Sequence, residues 1–382
     1  MRLVLATHAF VLNGIQYSGF PLILDDRMRL VEEAHAFLIH VCLRSGRVRS
    51  KATWKRYGRD LYDFFGFIIT NGFDWKQGRV RGSLHPAESY RDWALGECGL
   101  SRRTVNARLR TVLRFYKWAV SERLVPRFPF EEISVPLRYL AGLLAHTDGS
   151  AGMRASSALL MRESTAPIRL LTLEQCKTCL TTLTNVTHHL MFRLGVQVGL
   201  RSEELRTLPT KYVFDPMRRP DLAGKAAYRM RLTPADMALK GGKARTIDVP
   251  ILLLADLWRY LVLERPKRVR RTSVTSTALF LTERGTPFSD KAMEKAFWRL
   301  GQRVGFHVTA HMLRHTYATY TLHRLRERGF KGDALLYLRD RLGHSSVSST
   351  QIYLHLLEQL DVGLLVLHEQ ELHVLFQGSY AA

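Results

Sequence analysis

Between residues 145 and 167 the chain reads AHTDGSAGMRASSALLMRESTAP, rich in Gly, Ser, Ala and Thr and without a sustained apolar period. Segments of this kind bury too little apolar surface to offset the entropy of ordering them, and they serve as connectors. On both sides apolar residues recur at helical spacing. The gap therefore predicts two folding units, and a length of 382 residues is also long for a single core. The expected divisions are an N-terminal extension at 1–44, a helical domain at 45–140, a linker at 141–167 and a larger domain at 168–372.

The opening MRLVLATHAFVLNGIQYSGFPLIL is apolar but broken by His8, Asn13 and Gly14. Asn13-Gly14 between two apolar stretches predicts a type I′ hairpin, and a secretory signal is the weaker reading. No apolar run reaches the roughly 18 residues of a membrane span. A cytoplasmic protein with no membrane partner is the expectation. Ser50 is a plausible N-cap for a helix over 50–70, with Trp54, Tyr57, Leu61, Phe64, Phe65 and Ile68 on one face. Residues 101–125 repeat that pattern with Val105, Leu109, Val112, Leu113, Tyr116 and Val120. Their other face carries Arg102, Arg103, Arg108, Arg110, Arg114, Lys117 and Arg123 against a single Glu122. A solvated helix normally mixes signs, so this face is expected to grip phosphate; a plain surface helix is the ordinary alternative.

The larger domain opens with helices, turns to two alternating segments, AAYRMRL and ARTIDVP, with KGGK (240–243) near the turn between them, and returns to helices at about 251–262, 290–303, 310–328 and 333–342. The class is mainly α with a small antiparallel β-sheet. Thr172 to Gln175 forms a capping box. Cys176 and Cys179 follow it as one C-x-x-C without a matching second pair, so they are expected as helix cysteines and no metal is expected. The last residues contain LFQG, which resembles a viral protease recognition sequence used in recombinant expression, and 373–382 are set aside as a possible tag remnant.

The charge points to the partner. Lys and Arg total 57 against 34 Asp and Glu, a net +23 that repels itself and calls for a polyanion, nucleic acid first and a membrane surface second. Four scattered places in the larger domain hold residues suited to phosphate: Arg201 in GLRSEEL, Lys240 in the glycine-rich turn, His311, Arg314 and His315 in HMLRHTYAT, and His344 and Tyr353 in LGHSSVSSTQIY. Each has an ordinary reading alone, as a helix-surface arginine, a basic turn or a core aromatic. His311 and His315 stand four apart as zinc ligands can, but residue 312 is Met where a zinc protease carries Glu. Taken together they suit one reaction. Attack of an oxygen nucleophile on a phosphodiester builds charge on the non-bridging oxygens, which two guanidiniums clamp bidentately. Histidines donate hydrogen bonds or move protons near neutral pH. A lysine can protonate the departing oxygen, and a tyrosine among cations can become the nucleophile.

GLRSEEL, LKGGKAR, HMLRHTYAT and LGHSSVSSTQIY occur in the order and at roughly the intervals of the tyrosine recombinase, or lambda-integrase-like, family, which the chain resembles over about 168–356. The last two motifs are specific; the first two gain weight from their company. The basic helical region at about 45–130 is similar to that family's core-binding domain by pattern. The resemblance implies a two-domain DNA clamp in which Arg201 and Arg314 bind the scissile phosphate and Lys240 is the general acid, with Lys243 as runner-up. His311 would assist proton transfer, His344 would hydrogen-bond the phosphate, and Tyr353 would form a transient 3′-phosphotyrosyl link. Glu204 would orient its neighbours, and His315 would be structural. The interval from Arg201 to Lys240 is long for the family, with DPMRRPDLAGKAA as the inserted segment.

The resemblance further implies a site-specific recombinase that needs no cofactor, because exchanging phosphodiesters conserves bond energy. Its partners would be double-stranded DNA sites, a homotetramer across two sites and a possible accessory protein, at the nucleoid. The linker and N-terminal addition favour an integrase or transposon-encoded recombinase of a mobile element over an Xer-type dimer resolvase. A type IB topoisomerase and a catalytically silent DNA-binding protein are the alternatives of other classes. LLEQLDVGLLVLHEQEL, after Tyr353, is expected to be helical and to dock on a neighbouring protomer or on its own domain.

Overall fold

The computed structural model describes residues 1–46, 50–78, 80, 82–136, 153–163, 168–344 and 348–357. It divides into two compact units, Met1–Thr165 and Ala166–Ala382. The expected tail helix beyond 357 and the tag remnant at 373–382 lie outside the described residues.

In the first unit β1 (Arg2–Leu5) pairs antiparallel with β4 (Pro21–Leu24), and β2 (Val11–Leu12) pairs with β3 (Ile15–Gln16). Asn13 and Gly14 join β2 to β3 with φ of 49° and 77°, the left-handed pair that a type I′ turn requires. α1 (Glu32–Ile39) continues through a π turn at His40–Arg44, and α2 (Lys51–Thr70), α3 (Pro86–Gly96) and α4 (Arg102–Ser121) follow. The apolar stripes of α2 and α4 are buried in one core, which also takes Phe20 and Ile23 from the N-terminal segment. Aromatic rings fill it edge to face, as in Phe65 against Phe115 at 5.3 Å. Truncating such a ring to Ala costs about 3–5 kcal/mol. Ser50 sits at the N-cap of α2 without a side-chain cap bond, whereas Ser101 accepts from Thr104 N at 3.3 Å and caps α4.

β5 (Glu132–Pro136) pairs antiparallel with β6 (Met153–Ser157), which falls within the span expected as linker. Leu159 is buried in the first unit's core, and Asn106 bonds both the carbonyl oxygen and the amide of Met161, at 2.8 and 3.0 Å. Composition conceals this pairing for a physical reason: a ladder is made by backbone groups, which Ser and Ala supply as well as Val does.

In the second unit α5 (Leu173–Thr182) starts at the capping box of Thr172 and Gln175. Its Cys176 and Cys179 are buried, and burial pushes the Cys179 thiol up to about 12. α6 (Val186–Val198) is buried on nearly every face, as a central helix must be, and packs against α11. After α7 (Ser202–Thr207), β7 (Ala227–Leu232) and β8 (Arg245–Pro250) form an antiparallel pair. α8 (Ile251–Arg259) runs through a π turn into α9 (Arg265–Val269), followed by α10 (Asp290–Val304), α11 (Ala310–Glu327), α12 (Ala334–Leu342) and α13 (Ser348–Leu357). The class is mainly helical. The sequence predicts an N-terminal hairpin and one small antiparallel sheet in the larger domain, and the described residues form four antiparallel pairs, each two-stranded. No helix among the described residues is long and apolar enough to cross a membrane.

Candidate active site

The site gathers at the ends of elements. α6 ends at Gly199, two residues before Arg201, which is the N-cap of α7. Glu204, one turn into α7, accepts the Arg201 amide at 2.7 Å and Arg201 Nη1 at 3.0 Å. Arg201 Nη2 donates to the carbonyl oxygen of Gly343 at 3.1 Å. Gly343 closes α12 in the left-handed region (φ 61°), which bends the chain so that His344 follows immediately.

Arg314 lies on α11, 2% exposed, and donates to the carbonyl oxygens of Gly199 at 2.7 Å and Leu342 at 2.6 Å. One arginine thus ties the end of α6 to the end of α12. Burial lowers its pKa to about 9, with the Arg201 and Arg245 charges adding to the depression, yet it stays cationic at neutral pH. His311 is exposed one turn earlier on α11. Desolvation, then Arg314, Lys240 and Arg201, hold its pKa below the ordinary value.

Tyr353 on α13 is 2% exposed, and its hydroxyl is 3.0 Å from His315 Nδ1. Burial raises its pKa, while Arg314 and Arg201 pull in the opposite direction. His344 lies with its ring parallel to that of Tyr353 at 6.3 Å, and its Nδ1 is 3.0 Å from Thr350 Oγ1. Burial and then Arg314 and Arg201 lower the His344 pKa to about 3; burial and then His311 lower that of His315 to about 4. Both imidazoles are neutral at pH 7. Lys240 begins a short 3-10 turn between β7 and β8, and both it and Lys243 are exposed. Arg201, Lys240, Lys243, Arg245, Gly343 and His344 are among the residues lining a cavity of about 630 Å³. A cavity with this many donors and cations suits a phosphate.

Two residues enter that the sequence did not assign to the site. Arg245 opens β8 and grips the Glu204 carboxylate with both terminal nitrogens, Nη2 to Oε2 at 2.6 Å and Nη1 to Oε1. Burial would raise the Glu204 pKa, but Arg245 and then Arg201 draw it down to about 2, so the carboxylate is ionised. A signal was present: Arg245 shares the inward register of β8 with Ile247 and Val249, a charge in an apolar alternation. His315, expected as structural, bonds the hydroxyl of Tyr353 and stacks edge-on against His311 at 4.3 Å. Among the described residues no group of three His, Cys, Asp or Glu is arranged to hold a metal ion.

The basic face of α4 is less free than its sequence suggests. Arg108 pairs with Asp63 of α2, Arg110 with Glu163 at 2.7 Å and Lys117 with Glu132 at 2.5 Å. Arg114 donates to the Tyr57 hydroxyl and lies 5.6 Å from its ring. The opposing carboxylates come from other elements, so inspection of the helix alone misses them. Arg102 and Arg103, at the start of α4, are exposed.

The profile of the phage integrase family matches residues 169–359, half of the chain. Tyrosine recombinase XerC of Bacillus pumilus is 26% identical over 335 residues, covering 87% of this chain and 93% of its own length. Tyrosine recombinase XerD of Caulobacter vibrioides is 28% identical over 340 residues, covering 84% and 91%. Among solved structures, the integrase of transposon Tn1549 in complex with transposon right end DNA covers 92% of this chain and 99% of its own, at 17% identity and a TM-score of 0.54. The XerH site-specific recombinase bound to a palindromic difH substrate covers 85% and 82%, at 18% identity and a TM-score of 0.53. At such identities the structural likeness is one of fold, and it agrees with the family match: this chain belongs to the phage integrase family, as a tyrosine recombinase that cleaves and rejoins DNA at specific sites.

Proposed function

We propose that Tyr353 is the nucleophile and that the scissile phosphate enters the cavity beside Arg201, Lys240 and His344. The single observation that carries this reading is convergence: residues separated by up to 143 positions, Arg201 to His344, meet around one cavity and one buried ion pair, and the ring of Tyr353 lies parallel to that of His344 at 6.3 Å. Arg201 and Arg314 neutralise the charge that grows on the non-bridging oxygens, and His344 donates a hydrogen bond to one of them. The Tyr353 proton leaves by way of the imidazoles beside it, with His311 as the assisting group. The bond from phosphorus to the 5′ oxygen breaks as the tyrosyl oxygen bonds phosphorus, and Lys240 protonates the departing oxygen. Lys243, on the same turn, is the runner-up for that role. Reversal by a second 5′ hydroxyl rejoins strands with no input of chemical energy.

The bound partner is double-stranded DNA carrying recombination sites, with both units contributing cations and four protomers spanning two sites, and an accessory protein is a further candidate partner, at the cytoplasmic nucleoid. Two sequence features, the segment preceding the helical domain and the stretch joining the two units, favour an integrase or transposon-encoded recombinase. A second reading, an Xer-type resolvase of chromosome dimers, is favoured by the near-full-length relatives named XerC and XerD.

The test mixes fragmented genomic DNA with wild type and with Tyr353→Phe, stops the reaction with SDS and sequences the DNA retained on protein. Wild type retains DNA at a few sites and the variant retains none. Sites at the ends of a mobile element support the first reading, and one chromosomal site supports the second. Adducts spread without site preference overturn both, as does failure to trap an adduct on a nicked duplex of the mapped sites.

A further inference from the structure

We infer that Arg245 is a positioning residue for strand cleavage: by fixing Glu204 it sets the direction in which Arg201 presents its guanidinium to the phosphate. This inference rests on the proposed role of Arg201 and deepens it.

The observations form a chain of contacts. Arg245 is held within β8, with its side chain only 5% exposed, and it meets both oxygens of Glu204, itself 1% exposed. The same two oxygens receive the Arg201 amide and Arg201 Nη1. With its carboxylate locked from one side by a bidentate fork, Glu204 cannot swing, and Arg201 is left with one orientation. The second anchor of Arg201 is the Gly343 carbonyl, and Arg245 supports this as well. A Cβ on Gly343 would lie 2.8 Å from Arg245 Cδ, so the turn that launches His344 rests directly on the Arg245 stem. Arg245 therefore touches both groups that hold Arg201, and it belongs to the strand that follows the Lys240 turn.

The ordinary reading is a buried ion pair that serves only the fold. Apolar residues of similar volume often replace such pairs at no cost or with a gain in stability, and the inward register of β8 is otherwise apolar. What an apolar pair could not do is hold a guanidinium that needs an anion at its back and a phosphate at its front. Arg245 lines the cavity, but it spends both terminal nitrogens on Glu204, so it acts through Arg201.

The experiment is single-turnover cleavage of a nicked duplex of the mapped site by full-length protein, with melting curves and DNA affinity measured in parallel. The variants are Arg245→Met, Arg245→Lys, Glu204→Gln with Arg245→Met, Arg201→Ala, and Arg201→Ala with Arg245→Met. Arg245→Met is expected to cleave about 10–100-fold more slowly, the usual range for a group that orients a reacting one. Arg245→Lys recovers part of that loss. Adding Arg245→Met to Arg201→Ala slows cleavage no further, because the two act as a unit. The Glu204→Gln and Arg245→Met pair removes the unbalanced buried charge and restores melting without restoring cleavage. Full recovery of cleavage by that pair would overturn the inference, and so would losses that multiply across Arg201 and Arg245. If wild type itself forms no Tyr353-dependent adduct, the underlying reading falls instead, which distinguishes the two failures.

Discussion

The cations of α4 and the arginines around Glu204 are spent differently. On α4 each partnered cation has its own counter-group: Arg108 has Asp63, Arg110 has Glu163, Lys117 has Glu132, and Arg114 has the Tyr57 ring and hydroxyl. In the second unit Arg201 and Arg245 share the single carboxylate of Glu204, and Arg314 donates to the carbonyl oxygens of Gly199 and Leu342. Carbonyls orient a guanidinium but do not cancel its charge. The pairs made by Arg108, Arg110 and Lys117 are each close to neutral locally, whereas the cluster around Glu204 keeps a surplus of positive charge in a cavity with partly buried walls. There the effective dielectric is lower and an entering phosphate is worth more. Net charge alone does not locate an anion site; unmatched charge held in place does.

The largest effect that would break this comparison is at Arg314. Arg314→Lys keeps the charge but loses the fork, and cleavage should fall about 10²–10³-fold. Arg110→Ala on α4 should leave cleavage of a saturating duplex within about 2-fold, since an exposed ion pair contributes only ~0–1 kcal/mol. Equal losses at the two positions would show that matched and unmatched arginines do not differ.

Glu204 sharpens the contrast through acid stability. Its carboxyl titrates at 4.5 when free and at about 2 in the fold. A lowered carboxyl pKa stabilises the fold fully above the free value and loses that contribution as pH falls through the folded one. Chemical denaturation of wild type should therefore lose stability between about pH 4.5 and 2, by up to ~3 kcal/mol from this group. Glu204→Gln with Arg245→Met should flatten that part of the curve; an unchanged acid limb would remove Glu204 as its source.

The imidazoles give a signal of the same sign that begins at higher pH. His344 titrates at about 3 and His315 at about 4, against 6.5 for a free histidine, so the folded protein holds fewer protons than the unfolded chain within that window. Stability falls as pH drops from 6.5 towards those values. Burial is the first cause for His344, but Arg314, Arg201 and Lys240 contribute, and a bound phosphate would offset them. DNA binding should then take up a fraction of a proton at pH 5 and none at pH 8, read by calorimetry in buffers of different ionisation enthalpy. His344→Gln should reduce the uptake. Identical uptake by that variant would mean that phosphate does not sit against His344.

What could be read in advance follows from how local each feature is. The stripes of α2 and α4, the Thr172 capping box, the Asn13-Gly14 turn and the β7 and β8 segments depend on residues a few positions apart, so their periodicity and turn chemistry show in the sequence. The β5–β6 pair depends on a backbone ladder across a gap of 16 residues between Pro136 and Met153, and small side chains leave no pattern for it. Six candidate site residues could be named in advance because four short motifs suit one chemistry. Arg245 and His315 were not assigned, because their significance lies in what they touch, Glu204 and Tyr353, across 41 and 38 positions. The partners of α4 failed to show for the same reason, being 45 and 53 positions away at Asp63 and Glu163.

The smallest expected effect returns to α4 and tests the matched face directly. Each phosphate neutralised by a protein cation releases condensed counterions, so each true phosphate contact adds about 0.9 to the slope of log affinity against log salt. Arg102 and Arg103 are exposed at the start of α4, whereas Lys117 is joined to Glu132 and lies 5.2 Å from the Phe128 ring. If matched cations stay with their partners on DNA, Arg102→Ala or Arg103→Ala should each lower the slope by about one, and Lys117→Ala should leave it unchanged. The control is Glu132→Gln, which releases Lys117 and should raise the slope by up to about one if the ion pair is what withholds it. A Lys117→Ala slope that drops by a full unit would mean that DNA displaces Glu132, and the face would then count as unmatched in the bound state. Fluorescence anisotropy on a duplex of the mapped site, between 50 and 200 mM salt, covers the range in which such slopes are resolved.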